Sequence, residues 1–175
     1  MARIPDAFID DLLARTDLVD VLSLLAPAGN ITLSNLGTTN IELLNAGNNL
    51  TINSTGNIDD GATGVITVAN MASLTAGTAL APADILFNNA NNIFNSLTVS
   101  AANNLDVYST TSLTLNEIRA TTLINMVTEG QMLDGNGAAL NLVSTRVNLT
   151  ANAGINGLQT ATANYDVTTR AASLT

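Results

Sequence analysis

Lysine, histidine, cysteine and tryptophan do not occur in this 175-residue chain, and each absence closes off chemistry. Without Cys or His the ordinary zinc ligands are missing, as are the commonest nucleophile–base pairs. Without Cys there is no disulfide framework. Five arginines against 14 acidic residues leave a net charge of −9. That balance cannot supply the basic groove that displaces counterions from nucleic acid, so no nucleic-acid partner is expected. Aromatic residues amount to 3%, too few to furnish the stacking platforms of a sugar cleft. No apolar run approaches the length needed to cross a bilayer, so no membrane insertion is expected. The opening MARIPDAFIDDLLARTD places aspartates where a signal peptide needs an uninterrupted apolar run. A signal for export is therefore expected elsewhere.

What remains is 46% hydrophobic residues in a background of Asn, Thr and Ser, with only 11% charged. That is enough apolar material for one domain with a core. The chain divides into two unlike parts: residues 1–25, an amphipathic leader, and residues 26–175, a repetitive region. In the leader, Phe8, Ile9, Leu12, Leu13, Thr16, Val19 and Leu22 recur at helical spacing. Pro5 suits a first helical turn, and Asp6, Asp10, Asp11, Asp17 and Asp20 fill the other face. The spacing predicts an amphipathic helix. Its apolar stripe (Phe8, Ile9, Leu12, Leu13, Val19 and Leu22) is expected to pack as a cap on one end of the repeat region.

From Ala28 onward a short phrase recurs: NITLS at Asn30, NLTINS at Asn49, SLTVSA at Ser96, NLDVYS at Asn104, SLTLN at Ser112, ALNLVS at Ala139 and VNLTA at Val147. Each presents two apolar residues around one polar residue, the alternation of a strand with one buried face. The inward core is therefore read as Ile31, Leu33, Leu50, Ile52, Leu97, Val99, Leu105, Val107, Leu113, Leu115, Leu140, Leu142, Val147 and Leu149. Strands of three to five residues, separated by Gly, Asn and Ala-Gly turns, pair weakly unless each is stacked on copies of itself. The expected architecture is all-β, a parallel β-helix (β-solenoid) with an N-terminal amphipathic α-helix cap. At roughly 20 residues per turn, about seven turns would make a rod on the order of 35 Å long. An antiparallel sandwich is the alternative.

Residues 30–175, with tracts such as AGNNLTINSTGNIDDG and RVNLTANAGINGLQTATANYDVTTRAASLT, resemble the β-helical repeats of filamentous haemagglutinin and related large bacterial exoproteins. The resemblance implies the right-handed winding, secretion by the two-partner or a related route, and a role at the cell surface. The chain is then expected to be a piece of something longer. Residues 4–22, IPDAFIDDLLARTDLVDVL, resemble the N-terminus of bacterial DNA primases. There the zinc-ligating cysteines and histidine should follow. Here LLAPAGNITLSN follows instead, so primase activity is not implied.

Two tracts break the rhythm. Residues 76–95, with Pro82, Phe87 and Phe94, suggest a long loop or short helix packed on the rod. In residues 117–137, Ile118, Leu123, Ile124, Met126, Val127 and Met132 are expected to line the core. Asp59-Asp60-Gly61 and the DGNG of residues 134–137 resemble fragments of calcium loops. Each alone has too few oxygen ligands, since Ca²⁺ takes six to eight. Both are read as plain turns, and no metal or cofactor is expected. Glu117 and Glu129 could form a glycosidase pair only by stacking on adjacent turns, and with so few aromatic residues a sugar cleft would be poorly equipped. The expected function is a structural stalk or adhesin segment of a large secreted or surface protein, not an enzyme. Its partners would be flanking domains or itself, end to end. An engineered or self-assembling β-solenoid is the alternative, and a polysaccharide-degrading β-helix enzyme a distant third.

Overall fold

The computed structural model describes residues 22–169. In chain order the strands are β1 (Leu22–Ala26), β2 (Ile31–Asn35), β3 (Thr39–Ala46), β4 (Leu50–Ser54), β5 (Ile58–Asp59), β6 (Val65–Ala76), β7 (Ile85–Phe87), β8 (Ile93–Ala101), β9 (Asn104–Ser109), β10 (Leu113–Arg119), β11 (Leu123–Thr128), β12 (Met132–Asp134), β13 (Leu142–Ala151), β14 (Ile155–Asn156) and β15 (Thr160–Thr169). Every strand pairs with one about a turn away in sequence rather than with its immediate neighbour, and all these pairings are parallel. The result is a parallel β-solenoid of about 7 turns.

Two stacks organise the rod. One runs through β2, β4, β6, β8, β10, β12 and β14, with Ile31 over Leu50, then Ala72, Leu97 and Leu115. The other runs through β5, β7, β9, β11 and β13, with Ile58 over Ile85, Leu105, Ile124 and Val147. Every residue in these two columns is fully buried. Burying each Ile, Leu or Val contributes roughly 1.5–3 kcal/mol, and each is buried only because the turns above and below cover it. Polar residues between them face out, as in the BiBeB burial pattern of β2 and β4. Strands are longer than the repeated phrase because β6, β8 and β13 turn corners. The first part of β6 pairs with β3 and the second part with β4.

The apolar positions expected inside lie there, with one exception. Ile31, Leu33, Leu50, Ile52, Leu97, Val99, Leu105, Val107, Leu113, Leu115, Leu142, Val147 and Leu149 are all buried. Leu140 is not: it precedes β13 and is 44% exposed. The phrase ALNLVS alternates like a strand, but the chain is still rounding a corner there, and Asn141 points inward instead, with no exposed surface. In the tract 117–137, Ile118, Ile124, Met126 and Met132 are buried, whereas Leu123 and Val127 are only half-buried.

Phe8, Ile9, Leu12, Leu13 and Val19 lie outside the described residues. Leu22 belongs to β1, whose backbone pairs in parallel with β3 from Leu22 opposite Ile41 to Ala26 opposite Ala46. The repeat region thus begins at least four residues earlier than the expected boundary at 25/26. The apolar run LSLLA satisfies helical and strand spacing alike, and its ladder with β3 decides between them.

Residues 76–95 form neither a helix nor a featureless loop. Gly77 and Pro82 make an antiparallel bridge closed by Thr78 N–H donating to Ala81 O at 2.9 Å, and Leu80 at the tip is wholly exposed. Gly77 has φ +79°, and a Cβ there would stand 2.3 Å from Ala83 N, so only glycine fits. The chain then returns as β7, where Phe87 stacks on Phe94 inside the rod with ring centroids 5.8 Å apart.

Candidate functional site

A parallel ladder places one outward residue of each turn directly above its counterpart. On one face this builds the column Asn40, Asp59, Leu86, Asp106, Asn125, Asn148 and Asp166. Asn125 Nδ2 donates to Asp106 Oδ1 at 2.7 Å, an amide-to-carboxylate bond between adjacent turns. Nearby, Tyr108 donates to Glu129, which also accepts from Asn152. This acceptor raises the Tyr108 hydroxyl above its usual range. Glu117 pairs with Arg119 beside it. Both acids considered for glycoside chemistry are thus engaged with neighbours.

Beside the turn at residues 58–64 lies a cavity of about 320 Å³, lined by Asn40, Ile41, Glu42, Asp59, Asp60, Gly61, Thr63 and Gly64. Its walls come from two adjacent turns, brought together where Asn40 sits in register with Asp59. The IDDG sequence shapes the bend. Gly61 has φ +58° and donates its N–H to Asp59 Oδ1 at 2.6 Å. Gly64 closes the turn onto Asp60 O at 2.8 Å. A Cβ at Gly64 would fall 2.0 Å from Asp60 O and 2.2 Å from Ile41 O, so the two turns can approach only around glycine.

Asp60 is 2% exposed. Its Oδ2 accepts from Asn92 Nδ2 and from Asn89 N–H at 3.3 Å, while its Oδ1 has no hydrogen-bond partner. Burial pushes its carboxyl above the usual carboxylate range, against the lowering effect of the Asn92 bond. Asn92 is itself fully buried, and its Oδ1 accepts from Ile66 N–H at 2.8 Å. Asp60 and Asn92 therefore tie the 58–64 turn to the longer turn before β8.

No family model, curated protein or solved structure matches this chain.

The second turn with the look of a calcium fragment behaves differently. Asp134 Oδ1 accepts from Asn136 N–H at 2.9 Å, Gly137 N–H at 3.1 Å and Asn141 Nδ2 at 2.9 Å. These donors, with Asn141 foremost, hold its carboxyl below the usual range. Asn141 also donates to Leu115 O at 2.7 Å and accepts from Gln159 N–H at 2.9 Å. It thereby joins three successive turns. Among the described residues no group of three or more His, Cys, Asp or Glu stands ready to hold a metal ion. Among them, too, no helix is long and apolar enough to cross a membrane. Sequence reading singled out Asp59, Asp60 and the 134–137 turn but missed Asn92 and Asn141. Both are Asn in an Asn-rich chain, and nothing local distinguishes a buried Asn from a surface one.

Proposed function

We propose that this chain is a rod-like structural segment, a stalk or adhesin portion of a large secreted or cell-surface bacterial protein, wound right-handed and without catalytic activity. The reading is carried by the continuous parallel stack from β2 to β14 over one apolar core. A solenoid of this kind adds about 4.8 Å of length per turn, so it sets reach rather than chemistry. Side chains that could serve catalysis are spread along the ladder instead of converging. The right hand follows the strong preference of parallel crossover connections. Antibody staining of intact producing cells tests the location. Surface label that is lost on mild protease treatment is expected, and antigen found only in the cytosol would overturn the proposal.

The cap expected of the leader falls, except for Leu22, outside the described residues, and it is tested by deleting residues 1–21. Deleting them is expected to produce aggregation, followed by light scattering at matched concentration. A truncated rod that stays monomeric with an unchanged Tm rejects the cap. One observation favours a second reading, assembly through the opposite end. Tyr165 of β15 is 46% exposed, although Val147, its register partner in β13, is fully buried. A sedimentation coefficient that rises with concentration, and stops rising in Tyr165→Ser, would support end-to-end association.

A further inference from the structure

One side chain from the next turn of the rod holds both ends of a loop. Asn92 Nδ2 donates to Asp60 Oδ2, and Asn92 Oδ1 accepts from Ile66 N–H at 2.8 Å. Between those ends Gly61, Ala62 and Thr63 are exposed, whereas Asp60 and Asn92 are buried. Asn89 adds two bonds across the same gap, from its N–H to Asp60 Oδ2 and from its Nδ2 to Ala62 O, each 3.3 Å. The side-chain bonds of Asp60 all go to one oxygen, and Oδ1 accepts none. Among the described residues no cation offsets a charge there, since Arg119 pairs with Glu117 and Arg146 stands on β13. The titratable groups beside it are acids: Asp59, next in sequence, and Glu42, exposed on the turn before. The elements packed against Asp60 are β7, the start of β6 and the 88–92 turn. They present Leu86, Ile66, Asn88, Asn89 and Asn92, and none of these titrates.

We propose that Asp60 is a proton-operated latch: its neutral carboxyl fastens the 58–64 turn to the turn before β8, and loss of the proton releases the turn so that water reaches the carboxylate. The proton sits on Oδ1, which leaves Oδ2 as the acceptor for Asn92 and Asn89. Ionised in place, Asp60 would be a buried charge with one oxygen unmet. Opening the turn exchanges that burial for solvation, at the loss of the Asn92 and Asn89 bonds. Burial, opposed by the Asn92 bond, holds the latched carboxyl above its ordinary value of 3.8. The ratio of released to latched chains therefore rises about tenfold per pH unit from 3.8 up to the latched value, and is level on either side. The exposed loop 61–63 is thus firm in acid and loose above the latched value. The proposal does not depend on the stalk reading.

Nuclear magnetic resonance on the whole chain, from about pH 3 to about pH 8, tests it. The Asp60 Cγ resonance should titrate above 3.8, and the Asn92 side-chain amide should move with the same midpoint. Hydrogen exchange, corrected for its intrinsic pH dependence, should show the Ile66 and Gly64 amides losing protection about tenfold or more over that interval. The Gly137 amide, held by Asp134, should keep its protection over the same range, because that carboxyl is already ionised. Asp60→Asn should remove the pH dependence at Ile66 and Gly64. Asp59→Asn, which leaves the latch intact and removes a neighbouring negative charge, should move the midpoint to lower pH, so the result does not hang on one buried substitution. A Cγ midpoint at or below 3.8 would overturn the proposal. So would titration above 3.8 with unchanged protection at Ile66, since Asp60 would then ionise in place. Equal losses at Gly137 would also overturn it, because they would mark loosening of the whole rod, and an unmoved midpoint in Asp59→Asn would assign the change to another group.

Discussion

Two turns of this solenoid use the same pair of residue types, an aspartate bonded to a buried asparagine, and reach opposite electrostatic outcomes. At residues 134–141, one oxygen of Asp134 collects three donors, and the carboxyl is held below its usual range. At residues 58–64, Asp60 is enclosed with one oxygen unmet, and its carboxyl is pushed up. The asparagines differ as well. Asn141 spreads its amide over its own turn and the turn before. Asn92 spends one side on Asp60 and the other on Ile66 N–H. The lesson is that residue type does not set the outcome. The number of donors that can reach the carboxylate, against the water removed from it, does.

The largest effect expected concerns where the 134–141 turn ends. Leu142→Ala should cost about 3–4 kcal/mol, because it empties a fully buried position. Leu140→Ala, two residues earlier, should stay within about 0.5 kcal/mol. Urea unfolding would distinguish them, and similar losses at both sites would contradict the inward turn of Asn141.

Next come the two asparagines. Asn92→Ala leaves Asp60 with one long backbone bond and strips the acceptor from Ile66 N–H, for a cost of about 3 kcal/mol. Asn141→Ala should cost about 2 kcal/mol, because several of the carbonyls it serves have a second lone pair to satisfy elsewhere. The reverse order in paired unfolding curves would break the comparison.

A smaller effect separates the two aspartates by sign. Asp60 has a raised folded pKa, so the native state keeps a proton that the unfolded chain has released. Its contribution is neutral below the ordinary value of 3.8 and becomes a penalty as pH rises through the folded pKa. Asp134 has a lowered pKa. Its contribution is present above 3.8 and is lost as pH falls through the folded value. Asp60→Asn should therefore raise the Tm relative to the parent at neutral pH, and the gain should vanish in acid. Asp134→Asn should lower the Tm at neutral pH, and that loss should vanish in acid. Two difference curves of the same sign would show that the donor-count explanation is wrong.

The smallest expected effect is at the exposed tip. Leu80→Ser should leave stability within about 0.5 kcal/mol, since Leu80 touches no core. A marked loss of Tm would mean that the 77–82 hairpin is not the independent protrusion described.

The strands of the stacks were legible because their signal is local. Ile31 and Leu33 around Thr32, or Leu105 and Val107 around Asp106, alternate as any half-buried strand must. Leu140 misled because the same alternation was read across a corner, where the backbone stops following a period of two. β1 was missed because Leu22, Leu24 and Leu25 also suit a helix. The candidate site was half legible. IDDG announced a turn with oxygens, but Asn40 and Glu42 stand some twenty residues earlier and become its neighbours only through the ladder.

The sequence by itself determined that this chain would wind: one face apolar, one face neutral and polar, glycine and asparagine at the bends, and no chemistry from Cys, His or Lys. Only the tertiary structure decided which turn lies on which. Register partners are as close as 18 residues, from Leu97 to Leu115, and as far apart as 27, from Ile58 to Ile85. Alternation is a property of a single strand and survives any register. Burial of Asp60, the inward Asn92 and Asn141, and the shared cavity wall belong to pairs of turns. They exist only once the register has been set by the apolar columns that the turns must cover together.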